Sequence, residues 1–241
     1  MKNIAAFFDI DGTIFRNSLM IEHFQKLINF EVIDPAIWYT KIKKVYSEWE
    51  SRFGDFEEYL EKLAEVYIEE LKGINRSYIE FIATHVIEVN GDMVYKFSRE
   101  QIEWHKKQNH KIFFISGSPD FLVSKMAEKY EVTEYRGTLY KVDENNKFTG
   151  EIEKMWNSEN KELVINEFIE KYKVDLENSY AYGDTTGDLS MLKMVGNPVA
   201  INPNRELVDV IKADKELSKK ATIVVERKNV IYKLDSTVKV L

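Results

Sequence analysis

Four short apolar runs constrain the fold most, because each ends abruptly at small, hydroxyl or acidic residues. The runs span residues 4–8, 111–115, 179–182 and 198–201. Short runs of aromatic, aliphatic and β-branched residues are typical of buried strands. Between the later runs, apolar residues recur at helical spacing, as in residues 120–130 and 161–172. The alternation predicts an α/β fold: a Rossmann-like, doubly wound and mostly parallel sheet with helices on both faces.

A long helix-favouring stretch separates the first run from the second. It covers residues 16–88 and contains amphipathic segments such as residues 56–71. Helix breakers divide it into about four helices, at Pro35, Gly54 and Gly73. We therefore predict an all-helical cap domain over residues 16–88, inserted into a discontinuous catalytic core of residues 1–15 and 89–241.

The pattern changes again over residues 136–153, where apolar and β-branched residues flank the polar residues 143–146. This arrangement predicts a β-hairpin with a polar turn. A calcium-binding loop is the alternative, because Asp143, Asn145 and Lys147 have a faintly similar spacing. The glycine and the final glutamate that such a loop needs are absent, so the hairpin is favoured.

Charge and composition exclude several classes of protein. The 34 basic and 41 acidic side chains give a net charge of −7, so no nucleic-acid or anionic membrane partner is expected. No segment approaches the ~20 consecutive apolar residues of a membrane span, and residues 4–8 are too few for a signal peptide. The sequence contains no cysteine, which excludes disulfides and thiolate chemistry and favours a cytoplasmic location. The oligomeric state is left open.

Two carboxylates, Asp9 and Asp11, follow the first apolar run directly. In open parallel sheets, ligands bind outside the carboxyl ends of the strands, so both side chains can reach one crevice. One carboxylate can then attack phosphorus while the other moves protons. Alone, the pair is equally typical of a capped turn after a strand.

The later runs end in residues that suit an anion and a cation. Ser116 follows the second run at the start of a helix, where a hydroxyl and backbone amides favour a phosphate; simple helix capping by Ser118 is the alternative. Asp184 and Asp188 follow the third run. Acids gathered at one edge repel one another unless a hard cation binds, and carboxylates with a phosphate are the ligands that magnesium prefers. Lys161 begins the predicted helix before the third run and is the candidate for the positive side chain that would bind the phosphate.

The ordered set resembles the four motifs of the haloacid dehalogenase superfamily of hydrolases. The set consists of Asp9-Ile10-Asp11-Gly12-Thr13, Ser116-Gly117-Ser118, Lys161 and Gly183-Asp184-Thr185-Thr186-Gly187-Asp188. The helical insertion after the first motif resembles the branch that includes phosphoserine phosphatase. The resemblance implies that Asp9 is the nucleophile and Asp11 the general acid and base. It also implies that Ser116 and Lys161 hold the phosphoryl oxygens.

The same resemblance implies a metal site and substrate contacts. Magnesium would be bound by Asp9, the backbone carbonyl of Asp11 and Asp184, with Asp188 orienting these ligands. Thr13 and Gly117 would contact the substrate, which is expected to be a small phosphomonoester.

The cap sets the substrate, and here the sequence departs from phosphoserine phosphatases. Those enzymes bind the amino acid with a glutamate seven residues after the second acid of the first motif and an arginine later in the cap. Ser18 stands at the first position and Glu61 at the second. Glu22, one helical turn further on, is a candidate substitute for the glutamate, and a one-turn slip would bring Arg52 into range. We therefore expect that phosphoserine is not the preferred substrate.

Two other functions stay open. The aspartyl phosphate can be passed to a second substrate instead of water, which would make the protein a phosphotransferase or a mutase. A catalytically silent binding module that uses the cap as its surface is the alternative from another class. The complete set of motif acids and Lys161 argues against the silent module.

Overall fold

A computed structural model describes residues 2–240. Within them, eight strands form one sheet: β1 (Ala5–Phe8), β2 (Lys111–Pro119), β3 (Glu134–Val142), β4 (Phe148–Glu153), β5 (Tyr180–Gly183), β6 (Asn197–Ile201), β7 (Thr222–Arg227) and β8 (Val230–Leu234). The strand order is β4-β3-β2-β1-β5-β6-β7-β8. Only the edge pairs β3–β4 and β7–β8 are antiparallel in this sheet of the described residues. The prediction of a mostly parallel α/β sheet is confirmed.

The helices of the described chain are α1 (Leu19–Asn29), α2 (Lys43–Glu50), α3 (Phe56–Leu71), α4 (Arg76–Asn90), α5 (Lys96–Lys107), α6 (Asp120–Lys129), α7 (Ser158–Tyr172), α8 (Leu189–Met194), α9 (Arg205–Ala213) and α10 (Leu217–Lys220). A π-helical segment, Trp38–Ile42, leads into α2, and a 3-10 turn, Thr186–Asp188, precedes α8. Helices α1 to α4 occupy the stretch expected to form the cap. Its expected end at residue 88 lies inside α4.

Strand β1 forms the middle of the sheet because all of its residues are apolar and fully buried. Side chains alternate across a strand, so Phe7 and Phe8 face opposite sides. Phe7 belongs to the hydrophobic cluster on one face, with Ile165 and Phe168 of α7. Phe8 belongs to the cluster on the other face, which continues into α3 through residues such as Leu63. The helical cap and the sheet therefore share one apolar core.

Polar contacts also fix one end of the cap to the β3–β4 hairpin. The backbone N–H of Gly73 donates to the carbonyl of Phe148 at 2.8 Å, and the N–H of Arg76 donates to the carbonyl of Asn146 at 2.8 Å. The Arg76 guanidinium also forms a 2.6 Å ion pair with Asp120 of α6. The cap is therefore held firmly where α3 passes into α4.

The hairpin itself matches the prediction. The Asp143 carboxylate accepts hydrogen bonds from the backbone N–H groups of Asn145 and Lys147, each at 2.9 Å, which closes a polar turn. The second hairpin, β7–β8, was not expected from the sequence, although Ile223, Val224 and Val225 supply β-branched residues at its start. Among residues 2–240, none of the helices has the length and apolar character to cross a membrane.

Candidate active site

The ends of β1 and β5 bring three carboxylates together. These strands are adjacent and parallel, with Phe8 opposite Tyr182, so Asp9 and Asp184 emerge at the same edge of the sheet. Asp188 reaches the same place from the 3-10 turn. Carboxylate oxygens of Asp9, Asp184 and Asp188 all lie within 4.8 Å of one another. Three of the four acids expected to converge therefore form one cluster, and Asp11 lies outside it.

The turn after Asp9 approaches Asp184 so closely that it needs a glycine. Gly12 has a φ of +79°, and a Cβ atom there would lie 2.1 Å from Oδ2 of Asp184. Next to it, the Thr13 hydroxyl donates to Oδ1 of Asp184 at 2.9 Å. Thr13 is fully buried and does not line the cavity, so the structure places it as a support for Asp184 and not as the substrate contact that we expected.

Lys161 on α7 supplies the positive charge of this cluster. Its Nζ atom lies 2.7 Å from Oδ1 of Asp9 and 2.6 Å from Oδ1 of Asp188. Burial disfavours the Lys161 ammonium, but the carboxylates of Asp188 and Asp9 outweigh that effect and raise its pKa above the usual value. Lys161 is therefore charged in this cluster.

The acids outnumber the lysine, and their pKa values reflect this. Burial raises the pKa of Asp9 well above its usual value; the Lys161 ammonium opposes the rise and the carboxylate of Asp188 adds to it. Burial also raises the pKa of Asp184, and its neighbours Asp188 and Asp9 raise it further. With all three acids ionised, the cluster including Lys161 would carry a net charge of −2. A hard divalent cation would compensate that excess.

The donor set fits magnesium, and the three carboxylates differ in their availability. Oδ1 of Asp188 accepts from Lys161, and its Oδ2 accepts from the backbone N–H groups of Asp184 at 3.0 Å and Thr185 at 3.2 Å. Both oxygens of Asp188 thus already have partners, one in Lys161 and the other in the loop that contains Asp184. Asp9 and Asp184 are therefore the carboxylates of this cluster best placed to hold a metal ion.

The Asp11 carboxylate faces the cap instead of the acid cluster. It accepts hydrogen bonds from the backbone N–H of Leu19 at 2.8 Å, from the Ser118 hydroxyl at 2.5 Å and from the Ser18 hydroxyl at 3.5 Å. Burial raises the pKa of Asp11, while these hydrogen bonds oppose the rise. Such a group can hold and release a proton. The sequence analysis weighed Ser118 as a helix cap, but α6 begins at Asp120 without a side-chain cap.

A cavity of about 430 Å³ lies between these strand ends and the cap. Asp9, Asp11, Ser116, Gly117 and Lys161 all line it, so the structure brings the predicted catalytic residues together. The cavity wall also includes Trp156, which the sequence analysis did not select. Its indole N–H donates to the carbonyl of Gly117 at 2.7 Å, and a Cβ atom at Gly117 would lie 2.8 Å from the Trp156 ring. This contact fixes the last residues of β2.

The cap contributes α1 and α3 to the cavity wall, through Met20, Glu57, Leu60, Glu61 and Ala64. Glu22 does not line the cavity, which corrects the expected substrate contact. Its carboxylate accepts from the side-chain amides of Asn17 at 2.8 Å and Asn90 at 2.6 Å. Glu22 therefore joins the two places where the chain passes between core and cap. Arg52 also lies outside the cavity wall.

The chain is similar to known hydrolases over most of its length. The family model for haloacid dehalogenase-like hydrolase matches residues 6–193. The chain is 26% identical over 216 residues to the histidinol-phosphatase of Neisseria meningitidis serogroup C, covering 86% of this chain and 93% of the relative. It is 26% identical over 194 residues to the phosphoserine phosphatase of Methanocaldococcus jannaschii, covering 80% and 82%. A solved phospho-aspartyl intermediate analogue of phosphoserine phosphatase has a TM-score of 0.59 and 21% identity, covering 95% of each chain.

The chain belongs to the haloacid dehalogenase-like hydrolase family. Within that family it is a phosphatase and resembles the phosphoserine phosphatases.

Proposed function

We propose that the protein is a magnesium-dependent phosphomonoester hydrolase that works through a phosphorylated Asp9. The observation that carries this proposal is the placement of Asp9. Its carboxylate contacts the charged Lys161 at 2.7 Å, shares the acid cluster with Asp184, and lines the same cavity as Asp11. A nucleophile, a cation and a proton carrier therefore meet in one cavity.

In the first step, an oxygen of Asp9 attacks phosphorus and the ester bond between phosphorus and the leaving oxygen breaks. Asp11 donates its proton to that oxygen, so the product leaves as a neutral alcohol. Lys161 and the Ser116 hydroxyl hold the phosphoryl oxygens during the transfer. A magnesium ion, held by Asp9, Asp184 and the backbone carbonyl of Asp11, would supply further neutralisation of the phosphoryl charge.

In the second step, a water molecule attacks the phosphorus of the aspartyl phosphate. Asp11, now ionised, accepts a proton from that water, and the bond between phosphorus and the Asp9 oxygen breaks. Inorganic phosphate is released and both carboxyl groups return to their starting states. Asp188 supports both steps by holding Lys161 and the loop of Asp184 in place.

The substrate that we propose is a small phosphomonoester other than phosphoserine. Phosphoserine carries a carboxylate beside its ammonium group, and Glu57 and Glu61 line the cavity on the cap side. Among the residues that the structure describes, the cap contributes no lysine or arginine to that wall. Histidinol phosphate, the substrate named for one relative, lacks a carboxylate and belongs in the substrate panel. Cytoplasmic location and the absence of a nucleic-acid partner stay predictions.

The test is a screen of phosphorylated metabolites with magnesium and with EDTA, on the native protein and on Asp9→Asn. The amide keeps the shape of the carboxylate but is a poor nucleophile, so turnover should disappear while the circular dichroism spectrum is unchanged. Asp209→Asn, on the exposed surface of α9, is the matched control and should retain full activity. Residual activity of Asp9→Asn above a few per cent, or equal native rates in EDTA, would contradict the proposal. Measuring released phosphate with and without alcohol acceptors separates hydrolysis from phosphoryl transfer.

A further inference from the structure

The cap half of the cavity carries two acids on one helical face. Glu57 and Glu61 are one turn apart on α3 and both line the cavity. Leu60 and Ala64 line it from the same helix, so the acids stand beside apolar surface. Trp156 lines the cavity from the core. The cap half of the cavity, which would receive the leaving group, therefore offers negative charge and apolar contact.

The negative charge on this wall has no positive partner within the described chain. Neither Glu57 nor Glu61 takes part in any ion pair between residues that the structure describes. Glu57 accepts only a 3.3 Å hydrogen bond from the neutral side chain of Asn204. Partial burial raises the pKa of Glu57, and the nearby carboxylates of Asp55 and Glu206 add to the rise.

The nearby lysines are engaged elsewhere. Lys62, next to Glu61 in sequence, forms a 3.0 Å ion pair with Glu65 along the helix. Lys161, which lines the cavity, is held between two acids of the core. The ammonium of Lys154 lies 4.8 Å from the centroid of the Trp156 ring, so it is engaged with that ring. A ligand that brings its own positive charge would compensate the acids of the cap.

We infer that the leaving group of the substrate carries a positive charge, an ammonium or quaternary ammonium, bound by Glu57 and Glu61. This inference rests on the proposed function and names the class of its substrate. The phosphoryl end of such a molecule is anionic and meets Lys161, whereas the other end is cationic and meets the cap. With the proposed magnesium ion bound, the core half would suit the anionic end of one small molecule and the cap half its cationic end. A cavity of about 430 Å³ limits the leaving group to a small metabolite.

The test uses two-carbon phosphomonoesters of nearly equal shape that differ only at the far end. They are phosphoethanolamine with an ammonium, ethylene glycol monophosphate with a hydroxyl, and phosphoglycolate with a carboxylate. We expect kcat/KM to be highest for the ammonium and lowest for the carboxylate, with about tenfold between the first two because the acids are partly exposed. Analogues with three carbons place the far group at a greater distance from the phosphate and should give the same order of kcat/KM.

The variants assign this order to the cap. In the double variant of Glu57→Gln and Glu61→Gln, the ratio of kcat/KM between the ammonium and hydroxyl substrates should fall by about tenfold. Glu58→Gln, on the same helix but outside the cavity wall, should leave the ratio unchanged. Turnover of phenyl phosphate, whose leaving group is uncharged, should change by less than about twofold in Glu58→Gln.

The outcomes separate this inference from the proposed function. Failure of the native protein to turn over phenyl phosphate with magnesium would overturn the proposed function. If phenyl phosphate is hydrolysed but the ammonium substrate has no advantage, or keeps its advantage in the double variant, only the inference is overturned. Calorimetry on Asp9→Asn gives a second readout without turnover. Tighter binding of phosphoethanolamine than of ethylene glycol monophosphate, lost when Glu57→Gln and Glu61→Gln are added, supports the inference, and equal binding overturns it.

Discussion

The two halves of the cavity treat charge in opposite ways. At the ends of the strands, the buried acids are held by hydrogen bonds or by Lys161. Asp188, for example, accepts hydrogen bonds from Lys161 and from two backbone N–H groups. On the cap, Glu57 and Glu61 have no positive partner among residues 2–240. The first half is built to hold one fixed arrangement, and the second is open to a ligand. On our proposal, the core determines the reaction and the cap determines the substrate.

The largest expected effect is in the core. Asp184→Asn removes a carboxylate that Thr13 orients and that we propose as a metal ligand. We expect kcat/KM to fall by about 10²–10³-fold and the magnesium requirement to rise, because charge stabilisation at the phosphoryl group is lost. Titrating activity with magnesium tests this, and calcium should not replace magnesium because it prefers more ligands at longer distances. An unchanged magnesium dependence would remove Asp184 from the metal site.

The second largest effect is expected in the free energy of unfolding, which should fall for a variant in the core half of the cavity but not for one in the cap half. Lys161→Met leaves Asp9 and Asp188 buried without their cation, so the free energy of unfolding should fall by about 3 kcal/mol. Magnesium should restore part of this loss, because it binds only the folded cluster. Urea unfolding with and without magnesium gives both numbers.

The same measurement on the cap should give the contrasting result. Removing a charge by Glu61→Gln should change the free energy of unfolding by less than about 0.5 kcal/mol, since the residue is exposed and forms no ion pair with the described chain. Equal losses in Lys161→Met and Glu61→Gln would break the distinction between the halves.

Phosphoserine offers a smaller but direct test of the cap. It differs from phosphoethanolamine only by a carboxylate, and that group must approach a wall with Glu57 and Glu61 but no basic residue of the described cap. We expect kcat/KM to be lower for phosphoserine than for phosphoethanolamine, by a factor of up to about ten, because like charges repel in the partly screened cavity. If phosphoserine is the better substrate, our interpretation of the cap is wrong.

The smallest effect concerns the support of a single ligand. Thr13→Val keeps the shape of the side chain and removes the 2.9 Å hydrogen bond to Asp184. A lost support of this kind lowers activity or metal affinity by about 10-fold. Thr13→Ser should rescue the magnesium titration, because its hydroxyl can still donate. A purely structural role would lower stability and leave the magnesium titration unchanged.

Much of the core could be predicted because backbone topology determines it. A short apolar run that ends in Asp9 or Asp184 marks a strand end, and parallel neighbours place such ends at one edge of the sheet. The polar turn at Asp143 could also be predicted, because the residues that form it are close together in the sequence. Strand β8 was missed because its exposed residues lack the alternation that marks a half-buried strand.

The contacts of the cap were harder to predict. The partners of Glu22 are Asn17 nearby and Asn90, which is 68 residues away, and no local pattern shows that they meet. Which face of α3 lines the cavity depends on how the helix rotates and packs, so Glu57 was not selected although Glu61 was. Ser118 stood inside a selected motif, but its hydrogen bond to Asp11 depends on β2 extending to Pro119.

The most direct test of the proposed reaction is to find the phosphorylated residue. The native protein is mixed with phenyl phosphate and magnesium, quenched in acid and reduced with borohydride, which converts an aspartyl phosphate to homoserine. Peptide mass spectrometry should place homoserine at position 9, and Asp9→Asn should give none. Homoserine at position 11 or 184, or its absence from every peptide while phosphate is released, would contradict catalysis through Asp9.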